Sequence, residues 1–248
     1  MGFFSNYEKF KDNVYSQFGE DGILREILTE LNIENGSCIE FGAADGPFCS
    51  NTFNLLDKGW QALYIEFEDS LYEELLLNTK KFENVTTVHR FVEYKEGPND
   101  LNSIVEEYNF EQDCEILSID IDSEDLRVWS SYKGTPKIII IEINSKLKPG
   151  IENYHKEKFN GNSFTSTLKV GINKGYTLVC HTGNMIFIRN DLIEKSRIGK
   201  YYTLFPSRLF TDFSDRPYWK SYIIYKYNKY IKRIYKEKST NPKKENNI

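Results

Sequence analysis

Cysteine and long apolar runs are both scarce in this 248-residue chain, and each scarcity excludes a class of protein. No apolar run approaches the ~18 residues that span a membrane, and the N-terminus lacks the pattern of a cleavable signal. The spacing of the cysteines is neither that of a metal finger nor that of a disulfide framework. They are Cys38, Cys49, Cys114 and Cys180. We therefore expect a soluble, cytoplasmic protein with reduced thiols.

Charge of each sign is concentrated in a different part of the chain. The formal net charge is −13 over residues 1–215 and +8 over residues 216–248. The acidic body argues against a protein that binds nucleic acid.

The length allows one well-buried core and is short for two. We predict one domain over residues 1–215, a basic amphipathic helix over 216–238 and a disordered tail over 239–248. Two interpretations of the helix stay open. It binds an acidic partner or an anionic membrane surface, which would place the protein at the inner face of the membrane, or it packs on the acidic body.

Short β-branched runs alternate with helical patterns from residue 37 onward. A leading helix over residues 17–32 has an apolar face that should cover a sheet. The predicted strands occupy residues 37–41, 62–67, 84–92, 115–121 and 136–143, with helices near 50–59, 69–81, 99–109 and 123–132. This alternation is typical of an α/β fold, a parallel sheet with helices on both faces.

The pattern ends in two strands joined by a short turn. Residues 176–181 and 184–189 are so close in sequence that they can only be antiparallel neighbours. A mostly parallel seven-stranded sheet ending in an antiparallel hairpin is the Rossmann-like arrangement of class I methyltransferases. Residues 37–110 would form its cofactor half and residues 114–190 its acceptor half. The segment 145–162 is too long for an ordinary connection, so we interpret it as a substrate loop.

A glycine-rich turn follows the first predicted strand. Its pattern, Glu40-x-Gly42-Ala43-x-x-Gly46, lacks the G-x-G-x-x-G of a dinucleotide site. Bare backbone before a helix N-terminus suits a ligand with an amino-acid end, and Glu66, closing the second strand, can accept hydrogen bonds from both ribose hydroxyls of an adenosine. Together these features predict S-adenosylmethionine (SAM). The alternative is an ordinary βα turn with a solvated glutamate at the strand end.

Further polar residues are assigned to the cofactor. Gln17 opens the leading helix, a segment that often closes over the cofactor in such folds. Asp45 lies in the turn itself, and Asp120 lies near the end of the fourth predicted strand. Asn51 and Thr52 either reach the ligand or cap the next helix.

Acidic and amide side chains are expected to converge at the ends of the fourth and fifth strands. Residues two apart in a strand share a face, which pairs Asp120 with Asp122 and Glu142 with Asn144. These groups could serve as the base for a hydroxyl nucleophile or as ligands of Mg²⁺ or Mn²⁺. The alternative is structural, with Asp122 as a helix cap and Glu142 in a structural hydrogen bond. Among the histidines, His155 in the long loop is the preferred candidate for a base.

Five segments resemble, in order, the FkbM-type methyltransferases and their relatives that methylate sugar hydroxyls: "SQFGEDGIL", "IEFGAADGPFCSNT", "GWQALYIEFE", "LSIDIDSEDLRVW" and "IIIIEINS". The resemblance implies that SAM is held by Glu40, Gly42, Ala43, Gly46 and Glu66. The family's Asp-x-Glu-Gly-x-Glu is matched by Asp120-x-Asp122-Ser123-x-Asp125, where the replacements keep the charge but shorten the reach.

The resemblance also implies a sugar acceptor, on a nucleotide-linked sugar or a surface-glycan precursor. One rival is a glycosyltransferase, because "DID" resembles the Asp-x-Asp that holds a nucleotide-sugar metal, although this leaves Glu40 and Glu66 without a role. A second rival is a scaffold that kept the fold and lost the chemistry. The joint presence of the cofactor motifs and the acidic edge counts against the scaffold.

Overall fold

The computed structural model describes residues 2–121, 124–155 and 159–212, which lie in one compact unit. Seven strands form one sheet: β1 Ser37–Phe41, β2 Gln61–Glu66, β3 Val85–His89, β4 Ile116–Ile119, β5 Ile138–Glu142, β6 Tyr176–His181 and β7 Asn184–Arg189. The α-helices are α1 Glu20–Leu31, α2 Phe53–Leu56, α3 Asp69–Thr79, α4 Leu101–Glu107, α5 Asp125–Ser131, α6 Phe164–Asn173 and α7 Lys200–Leu204. Short 3-10 helices cover Glu8–Phe10, Asn190–Lys195 and Pro206–Leu209.

The strand order is β3-β2-β1-β4-β5-β7-β6. Strands β1 to β5 are parallel to one another, whereas β7 is antiparallel to both β5 and β6. The chain passes from β1 through β2 to β3 in one direction across the sheet, and from β4 to β5 in the opposite direction. Because such crossovers are right-handed, α2 and α3 lie on one face of the sheet and α5 lies on the other face. This is the class I methyltransferase fold, and the predictions of a mostly parallel sheet and a terminal hairpin are confirmed.

The residues that form the apolar patterns of the sequence in α1 and β5 are buried in the structure. The predicted face of α1 is inside the protein: Ile23, Leu24, Ile27, Leu28 and Leu31. In β5 the run of isoleucines, 138 to 141, has 0% exposure, as expected for a strand covered on both faces.

Most of the predicted elements were wider than the observed ones, and three of these differences have a local reason. The leading helix begins at Glu20, because Gly19 before it has φ +102°, outside the helical region. The helix predicted near 50–59 shrinks to α2, because the residues before it are bound by a buried carboxylate. The fourth strand ends at Ile119, where the chain turns past the end of β1.

Some predictions lie outside the described residues. These are the basic helix over 216–238, the tail over 239–248 and the roles of Asp122. Within the part of the chain that the structure describes, no helix is both long enough and apolar enough to cross a bilayer.

Candidate active site

Strand β1 stops at Gly42 because the backbone of a neighbouring segment lies against it. Gly42 has φ +76°, and a Cβ there would lie 1.6 Å from the carbonyl oxygen of Asp120. The N–H groups of Gly42 and Ala43 both donate to the Ile65 carbonyl, at 3.0 and 3.2 Å. The turn is thus held between the ends of β2 and β4. The fold itself requires this glycine, before any ligand is considered.

Glu40 is buried at the end of β1 and holds the segment that enters α2. Its Oε2 accepts hydrogen bonds from Ser50 Oγ at 2.6 Å and from Thr52 Oγ1, and its Oε1 accepts the Asn51 N–H at 3.0 Å. Burial raises the pKa of this carboxyl, although the hydrogen bonds act in the opposite direction. Glu40 therefore has a positioning role, and its predicted contact with SAM stays a prediction.

The segment before α2 contains a serine that binds the start of the helix and one unsatisfied amide. Ser50 Oγ accepts the N–H groups of Thr52, the N-cap residue of α2, and of Phe53, at 3.1 and 2.9 Å. The Thr52 hydroxyl donates to Glu40. Asn51 donates through Nδ2 to Ser118 Oγ at 3.1 Å, but its buried Oδ1 has no partner among the described residues. Asn51 thus keeps an acceptor that a ligand or a water can satisfy.

Glu66 joins the end of β2 to the glycine turn. Its Oε2 accepts the Ala44 N–H at 2.8 Å, and its Oε1 accepts the N–H groups of Phe67 and Glu68, each at 2.8 Å. A carboxylate oxygen can accept two hydrogen bonds, so Oε2 retains capacity for a ribose hydroxyl. The two motifs, far apart in sequence, are in direct contact.

An exposed aromatic pair beside Glu66 was missed by sequence reasoning. Phe67 is 57% exposed and Phe91 is 48% exposed, and their rings meet edge to face with centroids 5.6 Å apart. The only sequence signal was their position, just beyond the ends of β2 and β3. Two exposed rings side by side offer a surface on which a flat heterocycle can stack.

The other residues predicted in the turn shape its backbone. Asp45 is buried, its Oδ1 accepts the Phe48 N–H at 2.9 Å, and its carbonyl accepts from Asn78 Nδ2 at 2.7 Å. Gly46 has φ +94°, and a Cβ there would lie 3.0 Å from the Phe53 ring. Both residues fold the loop, and their contacts with a cofactor stay predictions.

Carboxyl groups are concentrated around the turn. Burial raises the pKa of Cys49 to about 12, and four nearby carboxylates raise it further: Asp120, Glu20, Asp45 and Glu40. They come from the β4 end, α1, the turn and β1. Such a cluster favours a cationic ligand, as a sulfonium or an ammonium group would be.

The start of α1 lies beside the ends of β5 and β7. Glu20 is fully buried, and its Oε1 accepts hydrogen bonds from Thr182 Oγ1 and from Asn184 Nδ2, the latter at 3.1 Å. Asn184 is paired in register with Glu142, the last residue of β5. Gln17 is half-buried in the segment before Glu20, and its contact with the cofactor stays a prediction.

The predicted metal ligands are brought together only in part. Strands β4 and β5 are adjacent and parallel, so Asp120 and Glu142 lie at the same edge. The Asn144 amide is engaged within its own loop, accepting a backbone N–H at 3.0 Å and donating to a backbone carbonyl at 2.7 Å. Asp122 is not described, and the described residues contain no group of three or more His, Cys, Asp or Glu side chains placed to hold a metal. The metal prediction gains no support from this geometry.

His155 is buried in the loop after β5. Its Nδ1 accepts the Gly161 N–H at 3.0 Å, so the neutral ring carries its proton on Nε2. That nitrogen is buried and has no hydrogen-bond partner in the described ranges. In this tautomer Nε2 is a hydrogen-bond donor and the Nδ1 lone pair is engaged, and the base role of His155 stays a prediction.

No protein-family model matches this sequence, and a comparison with curated proteins finds no match either. Several solved methyltransferases are distantly similar. The glycopeptide N-methyltransferase MtfA aligns over 71% of this chain and 90% of its own, at 11% identity and a TM-score of 0.42. A SAM-dependent methyltransferase from Clostridium acetobutylicum aligns over 70% and 92%, at 9% identity and a TM-score of 0.46. TYW2 from M. jannaschii, in complex with AdoMet, aligns over 72% and 79%, at 14% identity and a TM-score of 0.39. The class I methyltransferase fold is assigned by the strand order and by the direction of β7.

Proposed function

We propose that this chain is a SAM-dependent O-methyltransferase that acts on a sugar hydroxyl, on a nucleotide-linked sugar or a surface-glycan precursor. The observation that carries the proposal is the 2.8 Å hydrogen bond from the Ala44 N–H to Glu66 Oε2. It joins a turn suited to the methionine end of SAM to an acid suited to its ribose, at the ends of neighbouring strands. Phe67 and Phe91 add a stacking surface for adenine beside that acid.

The acidic surroundings of the turn support a cationic cofactor, whose sulfonium supplies an electrophilic methyl group. We assign Asp120 as the group that accepts the proton of the acceptor hydroxyl, because it lies at the end of β4, between the turn and β5. Asp122 and Glu142 are proposed to assist it. His155, with its proton on Nε2, is proposed to donate a hydrogen bond to the acceptor rather than to act as the base.

The sugar acceptor is supported by the resemblance of the motif segments to FkbM-type enzymes, and the loop 145–162 is proposed to select the sugar. A role for Mg²⁺ or Mn²⁺ is tested by measuring transfer in EDTA. Full activity in the chelator would remove the metal from the proposal.

Binding of S-adenosylhomocysteine, measured by titration calorimetry, tests the cofactor site. We expect Glu66→Gln to weaken binding about 10- to 100-fold, because a hydrogen bond to a charged group contributes about 1.5–3 kcal/mol. Glu73→Gln removes a charge from an exposed position on α3 and should leave affinity unchanged. A wild-type protein that binds no S-adenosylhomocysteine would contradict the proposal.

A second comparison distinguishes the loss of a ligand contact in Glu66→Gln from a folding defect. The wild type should bind the 2′-deoxyribose analogue of S-adenosylhomocysteine more weakly than the parent compound, whereas the variant should not distinguish the two. A screen of nucleotide sugars with labelled SAM then identifies the acceptor. Binding of nucleotide sugars with Mn²⁺ but not of S-adenosylhomocysteine would favour a glycosyltransferase, and cofactor binding without any transfer would favour a scaffold.

A further inference from the structure

The N-terminal segment and the end of α7 present a connected group of rings, called here the aromatic cluster: Phe3, Phe4, Tyr201 and Phe205. Tyr201 is half-buried and the three phenylalanines are exposed. Phe4 is 65% exposed and Phe205 is 53% exposed, and the Tyr201 ring lies between them, with centroids 4.9 and 5.4 Å away. Leu204, next to this cluster in the chain, is 58% exposed. Single exposed apolar residues are common, but several in contact mark a surface that binds something.

The aromatic cluster is held by backbone hydrogen bonds. The Gly199 N–H donates to the Ser5 carbonyl at 2.7 Å, and the Tyr201 N–H donates to the Phe3 carbonyl at 3.2 Å. A Cβ on Gly199 would lie 2.2 Å from the Phe3 carbonyl oxygen, so the two segments approach as closely as glycine allows. The rings are therefore presented on a preformed surface.

The segments that carry the aromatic cluster lack acidic residues, although the body of the protein is acidic. Residues 2–7 and 196–211 contain no Asp or Glu, and the second segment carries Arg197, Lys200 and Arg208. The cluster is thus bordered by positive charge.

A pocket of about 640 Å³ beside Phe4 adds two lysines to this surface. Its lining includes Lys9, Lys195, Arg197 and Glu30. Glu30 is occupied by Arg197 and by a tyrosine hydroxyl at 2.6 Å. None of the ion pairs found in the described ranges involves Lys9 or Lys195. Their ammonium groups remain available to an anionic group.

We propose that the aromatic cluster and the Lys9–Lys195 pocket form a docking surface for an anionic lipid bilayer. Aromatic rings favour the membrane interface, and lysines beside them bind phosphate groups of the lipids. The chain continues beyond this surface with a segment, 216–248, of net charge +8 that is rich in tyrosine. An anionic bilayer attracts the net positive charge of this segment as well as the two lysines. The proposal is independent of the methyl-transfer reaction.

Sedimentation of the full chain with vesicles tests this surface. We expect binding to vesicles that contain phosphatidylglycerol, weak binding to phosphatidylcholine alone, and loss of binding at high salt. Phe4→Ser with Phe205→Ser should reduce partitioning at least ~10-fold, since each ring loses its apolar contact with lipid. Lys9→Gln with Lys195→Gln should weaken binding only to the anionic vesicles.

Matched variants control for general loss of apolar surface or charge. Leu77→Ser with Ile172→Ser removes side chains that are 74% and 55% exposed on α3 and α6, and should leave binding unchanged. Lys58→Gln with Lys80→Gln removes two exposed lysines outside the proposed surface, and should also leave vesicle binding unchanged. Absence of vesicle binding, or binding that the Phe4 and Phe205 substitutions leave intact, would overturn the proposal. If the protein binds no vesicles but forms a dimer that the Phe4 and Phe205 substitutions dissociate, the surface would instead bind a second copy of the chain.

Discussion

Two carboxylates hold the glycine turn from opposite sides. Glu40 binds the segment after the turn, and Glu66 binds the N–H of Ala44 within it. Gly42 lies between them, against the carbonyl of Asp120. Each of these residues acts on the shape of the turn, so substitutions here should affect stability as well as ligand binding.

Gly42→Ala should destabilise the protein far more than Gly59→Ala. Both glycines have positive φ, +76° and +92°, which costs an alanine about 1–2 kcal/mol. Only at Gly42 does the added Cβ meet another atom, 1.6 Å away, whereas nothing lies within 4 Å at Gly59. We expect a loss of at least ~4 kcal/mol for Gly42→Ala in urea unfolding. Equal losses in the two variants would contradict this account of the turn.

Glu40→Gln should change how stability depends on pH. Burial raises the folded pKa of Glu40 above its ordinary value of 4.5, so the folded state binds its proton more tightly than the unfolded state. The stability that this proton provides is present below 4.5 and is lost as pH rises through the raised pKa. The difference in unfolding free energy between variant and wild type should therefore shift in favour of the variant as pH rises. A difference that stays constant with pH would show that the pKa is not raised.

At the scale of single elements, α4 depends on one capping carboxylate. Asp100 Oδ1 accepts the N–H groups of Asn102 and Ser103, at 2.9 and 3.1 Å, and Oδ2 accepts the Gly97 N–H at 2.9 Å. Burial acts to raise its pKa, but these hydrogen bonds outweigh burial and lower the pKa from 3.8 to about 2. The capping interaction therefore stabilises the ionised form.

In Asp100→Asn the free energy of unfolding should depend less on pH in the acidic range than it does in the wild type. The folded pKa lies below the unfolded value, so this contribution is present above pH 3.8 and disappears as pH falls toward 2. It amounts to about 2 kcal/mol for this buried group. Urea unfolding at a series of acidic pH values measures it, with the exposed Glu73→Gln as the control. If the stability of Asp100→Asn fell at acidic pH as much as that of the wild type, this assignment would be refuted. The pH dependence expected for Asp100 is opposite in sign to that expected for Glu40.

At the scale of the whole molecule, the packed core protects all of the cysteines. Cys38, Cys114 and Cys180 are buried, Cys49 is half-buried, and all four are free thiols. Burial raises the pKa of Cys49 and Cys180 to about 12, and it raises those of Cys38 and Cys114 as well. At pH 8 a thiol with a pKa of about 12 is ionised in about one molecule in ten thousand.

Ellman's reagent should therefore react slowly with the folded protein and rapidly with all four thiols in denaturant. The folded state should show no phase at the rate of an unfolded cysteine. A single fast phase would locate one accessible thiol, and its disappearance in Cys49→Ser would identify the half-buried residue. Such a phase would contradict the burial described for the turn.

The sequence by itself determined the order and type of the strands and of the helices between them, whereas α7 was not predicted. The spacing of apolar residues distinguishes strands from helices along the chain. The short turn between residues 181 and 184 permits only an antiparallel pair of strands. Spacing also placed the glycine turn and Glu66 at the ends of successive strands. All of these are local properties, and local properties are encoded in consecutive residues.

Only the tertiary structure decided what each site residue touches. Gly42 meets Asp120 because β1 has β4 as its second neighbour, and Phe67 meets Phe91 because β2 lies beside β3. His155 takes its tautomer from a backbone N–H six residues away in its loop. These contacts depend on strand order and loop closure, which no single segment specifies, so the partners of the polar groups were settled by the packing of the whole sheet.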